Sequence, residues 1–162
     1  MKRAVRVSIL MPVRDGEAYL REALDSMLAQ TFADFELIVL DDGSTDATPR
    51  IVEEYSDRDP RVVLERRPAR GLTSALNELV SLARGDVLVR MDHDDVALPD
   101  RIEHQVARLD ADSGLAVIGG ACVFVDSGGR ETGIARYPVG DRAIRRALRR
   151  INCIVHSAVA MR

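Results

Sequence analysis

Val87-Leu88-Val89-Arg90-Met91-Asp92-His93-Asp94-Asp95 is the stretch that decides how this chain is read. Its first five residues suit a strand, and the four that follow are three carboxylates around a histidine. A strand buried on both faces tolerates few charges, so the acidic run marks where the chain leaves a sheet. In open α/β sheets ligands collect outside the carboxyl ends of the strands, which is where this loop falls. Asp92, Asp94 and Asp95 are hard oxygen donors suited to Mg2+ or Mn2+, and such an ion can neutralise a diphosphate. The alternative is a solvated acidic turn that caps the next helix. An EF-hand does not fit, because Ala97 occupies the sixth loop position where glycine is needed, although Glu103 falls at the twelfth. His93 reads as a turn residue in preference to a ligand.

Outward from this loop, short β-rich runs alternate with helical ones, the pattern of βα units around a parallel sheet. Residues 5–11 are expected to form the first strand, ended by Pro12, and residues 17–30 a helix with Leu20, Ala23, Leu24, Met27 and Leu28 on one stripe. Residues 35–40 read as the second strand, leading through Asp41-Asp42-Gly43-Ser44-Thr45-Asp46 into a helix over 46–55. Thr45 or Asp46 can cap that helix, and Pro49 sits in its first turn. A short strand at 62–64 precedes a helix over 71–83, whose Leu72, Ala75, Leu76, Leu79 and Leu82 share a face and whose stop signal is Gly85. After the acidic loop, Pro99 or Asp100 opens a helix reaching Leu109. Residues 115–125 suggest one or two strands, Asp126-Ser127-Gly128-Gly129 a turn, residues 141–150 a basic helix, and residues 153–161 a final apolar stretch.

The chain has 162 residues, 46% hydrophobic and 30% charged, with a formal charge of −3. That fits one α/β domain over 1–162, neither a disordered tail nor an extended nucleic-acid surface, and no nucleic-acid partner is expected. Cys122 and Cys153 do not make a disulfide framework, so a reducing compartment is the default. The basic Met1-Lys2-Arg3 is followed by an apolar run broken by Arg6, without a small-residue cleavage site, and reads as a strand and not as a signal peptide. No run of eighteen apolar residues is present, so a cytoplasmic location is expected, with peripheral attachment at the inner membrane left open. The chain stops within or just after a strand, which leads us to expect a domain cut short at its C-terminus.

Other candidate ligands sit at the ends of neighbouring elements. Asp41 is positioned to receive a base or ribose donor group, while Asp42 and Ser44 also suit Asx-turn and helix-cap roles. Gly71 opens a helix directly after Arg70, so free amides and a guanidinium can face phosphate oxygens. Asn77 adds a polar contact or bonds within its own helix, and Arg66 and Arg67 are either helpers or solvated. Pro12-Val13-Arg14-Asp15-Gly16 supplies a further wall, with Asp15 contacting a nucleoside or capping the next helix. No Gly-x-Gly-x-x-Gly follows the first strand and no Gly-x4-Gly-Lys-Ser/Thr loop occurs, which counts against dinucleotide and P-loop readings.

Taken in order, residues 7–16, 26–32, 35–46, Arg70-Gly71-Leu72 with Ala75 and Asn77, Gly85-Asp86, Met91 to Asp95 and Leu98-Pro99-Asp100-Arg101 resemble the donor-binding half of family 2 glycosyltransferases. The resemblance implies a GT-A-like, Rossmann-type α/β/α sandwich with a mostly parallel sheet. It also implies that Asp41 recognises the base, commonly uracil, and that the loop from Asp92 to Asp95 organises ribose, diphosphate and Mn2+ or Mg2+, with Asp94 in direct contact with the ion and Asp92 and Asp95 as alternatives or supports. Pro12, Asp15, Asp41, Arg70, Gly71, Asn77 and Asp92 are the donor-binding set it suggests. His156-Ser157 resembles a segment near the transfer site, although the residues alone also suit a core or locally bonded histidine. The implied reaction is inverting transfer from a nucleotide-diphospho-sugar, a UDP-sugar, to the hydroxyl of a glycan, lipid or protein acceptor. The acidic general base expected of such enzymes has no match after His156, and no catalytic residue is assigned. A noncatalytic nucleotide-sugar-binding fragment and a sugar-phosphate nucleotidyltransferase are the alternatives.

Overall fold

Every residue of β1 (Val7–Val13) and β2 (Phe35–Asp42) is buried, as expected of central strands covered on both faces. The computed structural model describes residues 5–162. Around these strands lie α1 (Leu20–Leu28), α2 (Thr48–Ser56), β3 (Val62–Arg67), α3 (Leu72–Leu82), β4 (Val87–Arg90) and α4 (Arg101–Ala111). They are followed by β5 (Val117–Ile118), β6 (Cys122–Val125), β7 (Glu131–Ala135), α5 (Asp141–Ala147), a 3-10 turn at His156–Ala158 and β8 (Ala160–Met161). The main sheet has six strands in the order β3-β2-β1-β4-β8-β5. β1 to β4 are mutually parallel, while β8 runs antiparallel to both of its neighbours. The result is a mixed α/β sandwich with a largely parallel sheet, of the GT-A, Rossmann-like kind.

Side chains alternate across a strand, and the two cores follow from that period. Val7, Ile9, Met11 and Val13 of β1 pack with Phe35, Leu37 and Val39 of β2 against residues of α1, α2 and α4. Leu10, Ile38 and Leu40 point the other way and meet Ala75 and Leu79 of α3. The smaller second core explains a difference from the expected helix face. Only Ala75 and Leu79 are buried in α3, whereas Leu72 is 52% exposed.

β1 does not stop at Pro12 but continues to Val13, in register with Leu40 and Asp41. The carbonyls of Arg6 and Leu10 face β4, so Pro12, in the same phase, turns its missing N–H to that side. The β1–β4 ladder has already ended at Leu10 and Arg90, and no ladder bond is lost. β2 likewise runs two residues further than expected, because β3 accompanies it as far as Asp42 opposite Arg67. The carboxylates of Asp41 and Asp42 are therefore strand residues.

The N-cap of α2 is Ala47, without a side-chain cap bond; Asp46, one residue earlier, still accepts the Thr48 amide at 2.9 Å as an Asx turn, with Pro49 in the first turn. β6 and β7 form a separate antiparallel hairpin around the Asp126 to Gly129 turn. The final apolar stretch places β8 between β4 and β5. Cys122 and Cys153 are free thiols. Among the described residues no helix is long and apolar enough to cross a membrane.

Candidate functional site

The chain builds β1, β2 and β3 outward in one direction and then places β4 on the other side of β1. That reversal makes a topological switch point at the carboxyl end of β1, the place where open α/β sheets leave a crevice. Asp41 is in register with Val13 on one side of it. On the other side the Met91 amide donates to the Leu10 carbonyl at 3.1 Å and Asp92 follows. Two strand spacings, about 10 Å, separate β2 from β4. Asp41 and the acidic loop therefore flank β1 on a single edge of the sheet.

The loops around this edge are fastened to one another by polar contacts. The Asp15 amide donates to Ser44 Oγ at 2.9 Å, and Asp15 Oδ1 accepts the Thr45 amide at 2.8 Å. Glu17 and Asp46 exchange a similar pair: the Glu17 amide donates to Asp46 at 3.0 Å, and the Ala47 amide to Glu17 at 2.9 Å. Asp15 adopts φ 49°, which asparagine and aspartate tolerate better than most residues. It braces the neighbouring loop and does not cap the next helix. A Cβ on Gly16 would come within 2.6 Å of the His93 ring, so the β1 and β4 exits meet where only glycine fits. Gly43 has φ +77°, and a Cβ there would lie 2.7 Å from the Ala69 amide nitrogen. His93 is thus a packing residue beside Gly16.

Asp41 and Asp42 are both buried, but their environments differ. Asp42 Oδ1 accepts from Arg67 Nε at 2.8 Å and from the Arg70 amide at 2.9 Å, and Oδ2 accepts the Gly71 amide at 2.7 Å. Burial works against this carboxylate, yet those three donors outweigh it and hold its pKa below the ordinary value. The amides expected to be free for phosphate at Arg70 and Gly71 are therefore already committed, because Asp42 reaches them first. Arg67 is neither a ligand nor a solvated residue: it is buried, donating also to Ser74 Oγ at 3.1 Å and Glu78 at 2.7 Å. Among the described residues Asp41 accepts only the Ser44 amide, at 2.9 Å, while the exposed Arg66 guanidinium lies 3.7 Å from its other oxygen.

The acidic loop is also divided. Asp92 is ion-paired with Arg90, whose side chain is 4% exposed. Arg101 donates to the Arg90 carbonyl at 2.7 Å and to Met91 Sδ at 3.3 Å. Burial lowers the Arg101 guanidinium to about 10; the charge of Asp95 opposes the shift and that of Arg90 adds to it. It stays cationic at neutral pH and faces Asp95 electrostatically. Asp94 and Asp95 are exposed, and among the described residues the Asp94 carboxylate makes no hydrogen bond or ion pair. Three carboxylates converging on one ion were expected; among the described residues no group of three or more His, Cys, Asp or Glu could hold a metal. The donor set still fits an ion held in another way. Mg2+ is commonly bound through one or two carboxylates with substrate phosphates completing its shell, and Asp94 is an exposed carboxylate of the kind such a shell uses.

Pro12 is buried behind the edge, and Asn77 is exposed in the middle of α3. His156 is exposed, contrary to the core or locally bonded histidine that the residues suggested. Its turn is nevertheless held at the edge, because Val159 O accepts the Arg90 amide at 3.0 Å and Ala158 O accepts Gln105 Nε2 at 2.8 Å. Sequence reasoning gave Arg90 and Arg101 no role. The available signal was an arginine inside a short strand flanked by partners on both sides, since such a charge must find a counter-ion. A hollow of about 530 Å³ lies at the opposite edge near Phe35, Arg61, Leu82 and Arg84. Its arginines are already matched, Arg84 by Glu36 and Arg61 by Asp59.

With this geometry in place, comparison with known proteins is decisive: the description "Glycosyl transferase family 2" matches residues 8–162. The chain belongs to that family. EpsE of Bacillus subtilis (strain 168) is 36% identical over 133 residues, covering 80% of this chain and 48% of EpsE. Chondroitin synthase of Escherichia coli is 36% identical over 118 residues, covering 73% of this chain and 17% of that protein. The chain thus spans about half or less of the length of these curated relatives. Among solved structures, S. aureus TarS 1-349 in complex with UDP-GlcNAc superposes with a TM-score of 0.66 at 27% identity, over 71% of this chain and 34% of TarS. The mannosyltransferase PcManGT of Pyrobaculum calidifontis, in complex with GDP-Man and Mn2+, shares the fold: its TM-score is 0.69 at 21% identity, over 99% of this chain and 45% of that one.

Proposed function

We propose that this family 2 chain binds a nucleotide-diphospho-sugar, specifically a UDP-sugar, in the crevice over the carboxyl end of β1. The observation that carries the reading is the placement of Asp41 and the acidic loop on the two sides of one strand end, about a nucleotide's width apart. TarS, 27% identical, was solved with UDP-GlcNAc, which supports a uridine nucleotide as the probe to use. Asp41 is the acceptor for the base: it is a buried carboxylate with one oxygen that takes no hydrogen bond among the described residues and only the exposed Arg66 guanidinium 3.7 Å away. The Arg70 side chain, exposed beside the amides that Asp42 holds, is the cation for the phosphates.

Asp94 is the carboxylate that holds Mn2+ or Mg2+ together with the donor's diphosphate, while Arg90 keeps Asp92 in place and Arg101 offsets Asp95. When bound, the ion neutralises the charge that develops on the departing nucleoside diphosphate. The chain's own residues orient the base, fix the loops and keep like charges from repelling. In the full reaction an acceptor hydroxyl attacks the anomeric carbon with inversion, and the acceptor is a glycan, lipid or protein. A second reading is donor binding without transfer, since no residue of this chain is assigned as the general base.

Calorimetric titration of UDP-sugars with and without Mn2+ tests the proposal. Metal-dependent binding that Asp41→Ala weakens and that Asp94→Ala makes insensitive to the metal is the expected result. No binding across a nucleotide-sugar panel would reject it, and binding without transfer to any acceptor would leave the second reading.

A further inference from the structure

Residues 136–151 carry six arginines against one aspartate, a formal +5 in a chain whose total is −3, which leaves −8 on the remainder. The positive charge is therefore segregated into a single segment built on α5. No residue of α5 is buried. Asp141 accepts from Arg145 through both carboxylate oxygens at 2.9 Å. Among the described residues the guanidinium groups of Arg142, Arg146, Arg149 and Arg150 make no hydrogen bond or ion pair, and all four residues are exposed. Arg142, Arg145, Arg146, Arg149 and Asp141 line a shallow, open hollow of about 350 Å³. Like charges this close repel one another, and an external anionic surface relieves the repulsion.

Apolar side chains on the same segment narrow the choice of surface. Val139 is 92% exposed, Ile151 59% and Leu148 47%. A nucleic acid or acidic polymer would match the arginines and leave these side chains in water. A lipid bilayer matches both, since its headgroups take the charge and its acyl boundary takes the apolar groups. The segment leads directly into the His156–Ala158 turn, which is held against β4 at the edge that carries the acidic loop. From these observations we propose that the α5 segment docks on an anionic phospholipid bilayer. The inference goes beyond the donor site and does not depend on it, because lipid binding is read without nucleotide or metal.

Co-sedimentation with vesicles tests it, comparing pure phosphatidylcholine with an equal mixture of phosphatidylcholine and phosphatidylglycerol. The chain is expected to sediment with the mixed vesicles only and to be released by salt, whose screening shortens the reach of the arginines. The triple variant Arg142→Gln, Arg146→Gln, Arg149→Gln should lose about 100-fold in partitioning, about fivefold per arginine. Lysine at the same three positions should retain most of the binding. Val139→Ser with Leu148→Ser should lower vesicle binding about tenfold and leave binding to heparin unchanged. All the substituted residues are exposed, so thermal unfolding should stay at the wild-type temperature and separate loss of docking from loss of fold. The proposal is overturned by equal binding to neutral vesicles, by insensitivity to the glutamine variant, or by full displacement with inorganic phosphate. It is likewise overturned if the serine variant abolishes a self-association seen in sedimentation while vesicle binding is absent.

Discussion

Asp41 and Asp42 are adjacent at the end of β2, yet Asp42 is saturated by Arg67 and the amides of Arg70 and Gly71, while among the described residues Asp41 accepts a single amide, from Ser44. Neighbouring strand residues point to opposite faces, so one carboxylate is turned toward the loop that opens α3 and the other away from it. The two residues should therefore fail differently when replaced.

Asp42→Ala leaves a buried guanidinium and two amides short of an acceptor. The expected loss of stability is about 3 kcal/mol, read from urea unfolding, with Asp42→Asn losing less. An Asp42→Ala protein as stable as wild type would show that the β2–α3 tether has no energetic weight.

Asp41→Ala should instead weaken UDP binding by about tenfold or more, the scale of a lost hydrogen bond to a charged group. Calorimetry reads the affinity, and a urea midpoint close to wild type would separate this effect from unfolding.

Acid should destabilise the fold through carboxylates held below their ordinary pKa. Glu36, Asp42 and Asp46 resist burial through hydrogen bonds, and Asp59 is lowered chiefly by Arg61. Near pH 4 the unfolded chain binds more protons than the native one, so stability rises with pH there. The contribution is complete above the unfolded values of about 4 and is lost as pH falls through the lower folded values. Urea midpoints measured between neutral and strongly acidic pH should stay level and then drop below about pH 4.

Arg90→Met replaces a buried cation with an apolar side chain of similar length, and the partner left behind, Asp92, is a third exposed and can be solvated by water. The thermal midpoint should move by only a few degrees, about 1 kcal/mol. Mn2+-dependent UDP binding should fall about tenfold or more, because Asp92 loses the partner that holds the loop. Unchanged nucleotide affinity would show that the ion pair does not position the loop.

Removing divalent metal with a chelator should lower UDP-sugar affinity at least about tenfold, and added Mn2+ should restore it. Asp94→Ala should bind the nucleotide weakly and show no response to either treatment. A full metal response in that variant would move the ion to another carboxylate.

Much of the fold was legible because burial writes a period into the residues. The apolar runs of β1, β2 and β4 and the stripe of α1 were found from spacing alone. Strand ends were read less well. Pro12 looked like a stop, but a proline whose nitrogen lies beyond the ladder does no harm, and only the β1–β4 register shows that. In the site, the clustering of carboxylates at strand exits pointed to the carboxyl edge of the sheet, whereas which carboxylate is already partnered depends on residues far away in sequence. Arg67 comes 25 residues after Asp42.

By itself the sequence determined a parallel α/β sheet with acidic residues at two strand exits, because periodicity and loop chemistry are local properties. Only the tertiary structure decided that Asp42 and Asp92 are committed to Arg67 and Arg90, that the Arg70 and Gly71 amides are taken, and that the Asp94 carboxylate makes no hydrogen bond or ion pair among the described residues. The physical reason is that a buried charge is compensated by whichever opposite charge or dipole the fold brings near, and that pairing is set by strand order and register.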